Sequence, residues 1–318
     1  MSIALVILAA GKGTRMKSDL PKVLHPIAHV PMLAHTMSTG AALEPARTIV
    51  VAGHGAEAVS KAALEVNPDT TVVLQTEQFG TAHAVDMARD TLADFDGDVM
   101  VLFGDTPFLQ PDTLARMVAA RGAHDVVVLG FEPADPARYG RLVMDGDMLE
   151  RIVEFKDATE AERALTFCNS GLMACGREML FDLIAQISTD NAQGEYYLTD
   201  VIALARAAGH SVTAIGCDES ETLGINSRAD LAHADAVFQT RARAALLDSG
   251  VTLMAPDTVY LAQDTHIGPD TVIEPNVVFG PGVTVENGAT IRAFSHLEGC
   301  HVSRGAIIGP YARLRPGA

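Results

Sequence analysis

The chain has 318 residues, 48% of them hydrophobic, and sets 23 Lys and Arg against 40 Asp and Glu for a net charge of −17. That length buries a full core and suggests two domains, while the acidic balance disfavours a nucleic-acid partner held through its phosphates. No basic tract or leader and no apolar run near the roughly 20 residues of a membrane span occurs, so the expectation is a cytoplasmic protein with no membrane partner.

The run Ile3 to Leu8 reads as a buried strand and flows into Ala9-Ala10-Gly11-Lys12-Gly13-Thr14-Arg15-Met16, with Pro21-Lys22 shortly after. Glycines at 11 and 13 let backbone N–H groups approach an anion, and Arg15 and Lys22 bring two cations to the same strand end, as a triphosphate requires. Two commoner glycine loops are excluded. The dinucleotide pattern needs a third Gly or Ala where Met16 stands, and the Walker loop needs a Gly-Lys-Ser/Thr that never occurs.

Thr48 to Val51, Thr71 to Leu74, Val99 to Phe103 and Val126 to Phe131 are further β-rich runs alternating with helical patterns up to about residue 226. Continuously apolar strands of this kind lie in a mostly parallel sheet covered by helices on both faces, with ligands at the strands' carboxyl ends. The expected fold is α/β, a Rossmann-like mixed, mostly parallel sheet. At one strand end stands Gln75, followed by Gly80-Thr81: a carboxamide and exposed amides that suit a pyrimidine edge, or equally a helix start with Gly80 turning the chain and Thr81 capping. At another, Phe103-Gly104-Asp105 presents a carboxylate, which serves as a metal ligand or as an ordinary cap; sharing an edge with a triphosphate loop favours the metal. His25, His54 and His83 lie near these loops and receive no catalytic role.

Leu231, Ala234, Phe238, Ala242, Ala245 and Leu246 repeat at helical spacing within residues 227–249, which predicts a linking helix. Beyond it apolar residues recur every six positions at Ile267, Ile273, Phe279, Val285, Ile291 and Leu297, then at Val302, Ile308 and Leu314 after one five-residue step. This hexapeptide repeat predicts a triangular, left-handed parallel β-helix. The expected domains are thus 1–226, 227–249 and 250–318. Stacked repeats need a cap, and the pattern breaks off at Arg315-Pro316-Gly317-Ala318, so the natural protein is expected to continue. Cys168, Cys175, Cys217 and Cys300 lack metal spacing and are expected as reduced, packed thiols, with neither disulfide nor zinc.

The segments Leu8 to Met16, Leu20 to His25, Gln75 with Gly80-Thr81, Gly104-Asp105, Tyr139-Gly140-Arg141, Val153 to Ala158, Asn169-Ser170-Gly171 and Asn191 to Asp200 complete a broader pattern. It resembles the sugar-nucleotide pyrophosphorylases, and more closely the bacterial bifunctional N-acetylglucosamine-1-phosphate uridylyltransferase/glucosamine-1-phosphate acetyltransferase family. The resemblance implies uridylyl transfer from UTP to N-acetylglucosamine-1-phosphate, a step that feeds peptidoglycan and lipopolysaccharide precursors. It puts Leu8, Ala9, Ala10, Gly11, Gln75, Gly80 and Thr81 on the uridine, Arg15 and Lys22 on the phosphates as catalytic groups, and Phe103 and Gly104 beside the nucleotide. Asp105 and Asn226 would hold Mg²⁺, and Gly140, Glu154 and Asn169 the sugar. Phe103 in place of a usual Tyr, and Cys168 and Ser170 in Cys-Asn-Ser-Gly, depart from the family pattern without removing a catalytic group. The family's acetyl transfer from acetyl-CoA and its homotrimer depend on the β-helix; the acetyl-transfer positions lie past residue 318, so acetyltransferase activity is not expected of this chain. The alternatives are a pyrophosphorylase using dTTP or ATP with glucose-1-phosphate, or a non-catalytic regulatory subunit. The second could dispense with Arg15, Lys22, Asp105 and Asn226, all of which are present.

Overall fold

The computed structural model describes residues 2–317. The chain forms two compact units, one running to His25 and from Met32–Asn226, the other made of Pro26–Pro31 and the chain from Ser227 onward.

In the first unit nine strands form one sheet. They are β1 Ile3–Ala9, β2 Arg47–Ala52, β3 Thr71–Leu74, β4 Asp98–Phe103, β5 Val126–Phe131, β6 Arg141–Asp145, β7 Met148–Val153, β8 Cys168–Gly176 and β9 Val212–Cys217. Their order is β9-β5-β8-β4-β1-β2-β3, with the antiparallel pair β6 and β7 joined through β8. β8 runs antiparallel between β4 and β5; the other neighbours along that order are parallel. The sheet is therefore mixed and mostly parallel.

Why every residue of β1 is apolar follows from the two faces. Ala4, Val6 and Leu8 pack into one core layer, while Ile3, Leu5, Ile7 and Ala9 pack into the other. A strand's side chains alternate faces, so burial on both sides demands an unbroken apolar run. Helices α1 Met32–Ala41, α2 Ala56–Val66 and α4 Pro111–Arg121 contribute to the second layer, and the short helix α3 Thr81–Asp86 to the first. Leu8 is in register with both Val51 and Phe103, and the bonds Gly104 N to Leu8 O (3.0 Å) and Gln75 N to Ala52 O (2.8 Å) carry the ladder past the strand ends. Residues 10, 75 and 104 are brought to one edge of the sheet in this way.

Cys168 and Cys175 lie buried in this unit and Cys217 is half-buried. Burial pushes the thiols of Cys175 and Cys217 up to about 12 and raises that of Cys168 as well, so none is a ready nucleophile near neutral pH.

The second unit is a parallel β-helix of two-residue strands. His266 pairs with Thr284, Val272 with Thr290 and Val278 with His296, so each turn spans three hexapeptides. The single five-residue step falls between Leu297 and Val302, and there Thr284 pairs with His301. One short residue is absorbed within a coil without loss of parallel pairing. Ile273, Phe279, Val285, Ile291 and Leu297 stack inward, buried to 2% or less. The helix Arg228–Asp248 starts at Ser227, whose hydroxyl accepts from Asp230 N while the Asp230 carboxylate accepts from Ser227 N. Apolar spacing along this helix does not reveal its buried anchor, Gln239. That carboxamide donates to Leu261 O (2.8 Å) and accepts from Leu261 N (2.9 Å), closing both ends of a buried polar group. A further feature the hydrophobic pattern does not foretell is the hairpin pairing Pro26–Ile27 with Val30–Pro31, from which Ala28 N donates to Asp235 Oδ1 at 3.0 Å.

Phe279 is fully buried in the stack. Phe279→Ala is expected to destabilise the second unit by about 3–5 kcal/mol through lost transfer energy and a cavity, read as a lower denaturation midpoint of that unit in chemical unfolding followed by hydrogen exchange.

Candidate active site

The loop after β1 turns at Gly13, whose φ of 57° lies in the left-handed region. A Cβ there would stand 2.6 Å from Lys22 Cβ, so the missing side chain allows the loop to lie against Lys22. Lys22 Nζ donates to Asp105 Oδ2 in a close ion pair and to Asn226 Oδ1 at 3.1 Å. Arg15 Nη2 donates to the same Asn226 oxygen at 2.8 Å. Ile225 N donates to Asp105 O at 3.1 Å, which holds the Asn226 segment against the end of β4. Residues from three distant stretches of the chain therefore form one connected network.

The chemistry of that network bears on a metal. The Asp105 carboxylate and the Asn226 carbonyl both converge on one cation, the Lys22 ammonium, and both are hard oxygen donors of the kind divalent cations such as Mg²⁺ take. Two protein oxygens are too few for a closed metal cage. They fit a cation that completes its coordination with water and substrate phosphate. Among the described residues no cluster of three or more His, Cys, Asp or Glu offers a self-sufficient site.

Beside the network lies a cavity of about 350 Å³ bordered by Leu8, Ala10, Gly11, Lys22, Gln75, Gly80, Thr81, Phe103 and Asp105. Ala9, the remaining residue of the expected uridine group, points its methyl into the opposite core layer; only its backbone is available at the strand end. Gly104 is buried, with its amide on Leu8 O. Phe103 packs against Gly171, where an added Cβ would stand 2.7 Å from its ring.

Gly80 is required by space as well as by conformation. Its φ is 115°, and a Cβ there would stand 2.5 Å from Tyr196 O. Around it Tyr196 N donates to Phe79 O and Ala82 N to Tyr196 O, while Leu198 N donates to the Thr81 hydroxyl at 3.0 Å. The helix α3 is capped by Gly80 without a side-chain bond, so Thr81 is a brace and not the helix cap that is its alternative reading in the sequence. The Asn191 to Asp200 segment braces residues 79–82 through these bonds.

Gly140, Glu154 and Asn169 form a second group. Asn169 N donates to Gly140 O at 2.9 Å, and a Cβ on Gly140 would stand 3.5 Å from Glu154 Oε2. Asn169 Oδ1 accepts from Gly171 N at 3.0 Å, which leaves Nδ2 to donate to a ligand. Glu154 Oε1 accepts from Thr199 Oγ1 at 3.4 Å, and Glu154 borders a cavity of about 230 Å³ with Asp157, Tyr197 and Asp200. Burial raises the Glu154 pKa, opposed by the Thr199 bond and reinforced by Asp157 and Asp200.

Sequence reasoning missed three members. Gln78 Nε2 donates to Ala10 O at 2.6 Å, closing the loop over the cavity. Thr199 holds Glu154 as described. Arg141 is 2% exposed, and its guanidinium donates to the carbonyls of Pro136 (3.2 Å), Ala137 (3.2 Å), Tyr139 and Arg163 (3.2 Å), moulding the loop that presents Gly140. The available signal was an arginine opening an otherwise apolar strand, Arg141-Leu142-Val143.

A glycine-rich loop with two cations, a strand-end carboxylate and a mostly parallel sheet define a nucleotidyltransferase. Residues 5–171 match the MobA-like NTP transferase domain, and residues 264–299 match the bacterial transferase hexapeptide (six repeats). In fold the chain is similar to a putative glucose-1-phosphate thymidylyltransferase from Bacillus anthracis, with TM-score 0.60 and 19% identity over 74% of this chain and 95% of that one. It is similar also to a UDP-glucose pyrophosphorylase, with TM-score 0.61 and 16% identity over 76% of this chain and all of that one. The chain is 77% identical to the bifunctional protein GlmU of Ruegeria pomeroyi, over all of its own length and 71% of that protein, and 65% identical over the same shares to that of Roseobacter denitrificans. It belongs to the GlmU family.

Two outcomes are expected. Gly80→Ala should raise KM for the nucleotide about tenfold or more, since both the backbone conformation and the Tyr196 contact are lost, as initial-rate kinetics would show. Because the Glu154 pKa is raised on folding, its contribution to stability is complete below its ordinary value of 4.5 and is lost as pH rises through the raised value. Glu154→Gln cannot ionise, so its melting temperature should fall less than that of the wild type, or not at all, over that rise in pH, measured by calorimetry.

Proposed function

We propose that this chain transfers a uridylyl group from UTP to N-acetylglucosamine-1-phosphate, giving UDP-N-acetylglucosamine and pyrophosphate. The observation that carries the reading is the single network of Arg15, Lys22, Asp105 and Asn226 beside the cavity that Gln75 and Gly80 border. A phosphate oxygen of the sugar phosphate attacks the α-phosphorus of UTP. The bond from that phosphorus to the bridging oxygen breaks, and pyrophosphate leaves with the electron pair. The nucleophile is already an anion at neutral pH, so no general base is needed.

Lys22 and Arg15 hold the phosphates and neutralise charge that builds on the phosphoryl oxygens, with no covalent enzyme intermediate. On nucleotide binding Lys22 exchanges part of its contact with Asp105 and Asn226 for phosphate oxygens. Asp105 and Asn226 would hold Mg²⁺, which when bound would supply Lewis-acid stabilisation of charge on the phosphates. Leu8, Ala10 and Gly11 with Gln75, Gly80 and Thr81 take the uridine. Gly140, Glu154 and Asn169 take the N-acetylglucosamine, Glu154 accepting from hydroxyls and Asn169 Nδ2 donating to the acetamide oxygen. We assign the protein to the cytoplasm, and the homotrimer to the family's β-helix.

The test is pyrophosphate release from UTP and N-acetylglucosamine-1-phosphate with Mg²⁺, beside dTTP, ATP and glucose-1-phosphate. Lys22→Ala is expected to lower kcat by about 10²- to 10³-fold with selective use of the first pair by the wild type. Preference for another pair would move the assignment to that nucleotidyltransferase. Asp105→Asn should lose most of the rate at saturating substrates and require a higher Mg²⁺ concentration for half-maximal activity.

A further inference from the structure

Gln75 is only 4% exposed, and its carboxamide nitrogen lies against two polar groups. Nε2 lies 3.1 Å from Gly80 O and 3.1 Å from His83 Nδ1. A backbone carbonyl can only accept, so the Gly80 oxygen decides which end of the amide faces it; the turned amide would oppose two carbonyl oxygens. The second N–H of Nε2 is then directed at His83 Nδ1. For that nitrogen to accept, the ring must be neutral with its proton on Nε2.

Both N–H groups of the carboxamide are thereby taken, and only Oε1 is left for a ligand. Among the described residues no protein donor reaches Oε1, and it is not one of the side-chain oxygens sealed from solvent without a partner. Gln75 borders the cavity beside Gly11 and Gly80. His83 reaches back to it because α3 begins at Thr81 and helical side chains tilt toward the N-terminus. Phe79 packs against the His83 ring, with centroids 5.3 Å apart and planes tilted by 47°.

We propose that His83 is a positioning residue for nucleobase selection: by taking the second N–H of Gln75 it presents Oε1 as an acceptor to the cavity. An acceptor there is matched by a ring N3–H, which uracil carries and cytosine lacks. The proposal rests on the uridylyltransfer reading and deepens it, since it assigns the choice of base to a residue that need not touch the nucleotide.

The experiment measures pyrophosphate release with UTP or CTP varied, and then with the sugar phosphate varied, for the wild type, His83→Leu and His83→Asn. Loss of one oriented hydrogen bond should raise KM for UTP about five- to tenfold in His83→Leu and narrow the UTP to CTP ratio of kcat/KM. KM for N-acetylglucosamine-1-phosphate should stay unchanged, and His83→Asn, whose Oδ1 can accept near the position of Nδ1, should recover most of the loss. Unchanged kinetics in His83→Leu, or an equal loss toward both substrates without recovery in His83→Asn, would overturn the proposal. A wild type that rejects UTP sinks the uridylyltransfer reading itself, a separate outcome. In that case, or if His83→Leu does not fold, ¹⁵N shifts of the His83 ring in the intact protein decide: a proton on Nε2 supports the arrangement and one on Nδ1 overturns it.

Discussion

The ammonium of Lys22, held between the Asp105 carboxylate and the Asn226 carbonyl, is the interaction on which the site depends. Its partners lie 83 and 204 residues away in sequence, yet the fold brings them together. Leu8 and Phe103 are in register on adjacent parallel strands, so the loop after β1 and the carboxylate after β4 must emerge side by side. Side-chain exposures of 14% and 16% mean that neither charge of the pair is well solvated, and each needs the other when no substrate is bound. A phosphate can take the carboxylate's place beside Lys22, and a cation can take the ammonium's place beside Asp105. On the proposed reading the same exchange would charge the site for phosphoryl chemistry without rebuilding it, which is the condition for electrostatic preorganisation.

Around this network the groups proposed to face substrate are held mostly by hydrogen bonds to the backbone. Tyr196 and Leu198 pin residues 79–82, and Arg141 gathers the carbonyls ahead of Gly140. Arg141 suits that task because its planar fork offers five donors to acceptors that cannot donate in return. Loops fixed in this manner present amides and carbonyls at set positions, which a flexible side chain could not do. Glu154 shows the cost: burial beside Asp157 and Asp200 raises its pKa, a penalty that on the proposed reading the hydroxyls of the sugar would offset.

The second unit follows a simpler rule. Three hexapeptides complete a turn, so inward residues six apart land on successive sides and residues eighteen apart stack directly, as His266 does on Thr284. Each coil buries one apolar side chain per side, and the core propagates along the axis without needing long-range matches in sequence. Gln239, on the helix Arg228–Asp248, is a buried polar group tolerated because Leu261 satisfies both ends of its amide.

Much of this was legible in the amino-acid sequence. Runs such as Ile3 to Leu8 and the six-residue period report burial directly, because the side chains on each strand face must be apolar wherever water is excluded. The glycine loop with Arg15 and Lys22, the strand-end Asp105 and the segments shared with the pyrophosphorylases were equally visible, since chemistry restricts residue type there. What local pattern could not carry was partnership. Nothing near Thr81 announces Leu198, nothing near Gln75 says that His83 rather than a water takes its second N–H, and the Arg141 carbonyls come from residues 136–139 and from the end of the helix Glu160–Arg163. Residue types and periods are set by burial and by the chemistry each position must perform, and these the sequence determined by itself. Which polar groups meet was decided only by the tertiary structure, because a hydrogen bond depends on distance and direction between segments that the sheet brings together from far apart in the chain.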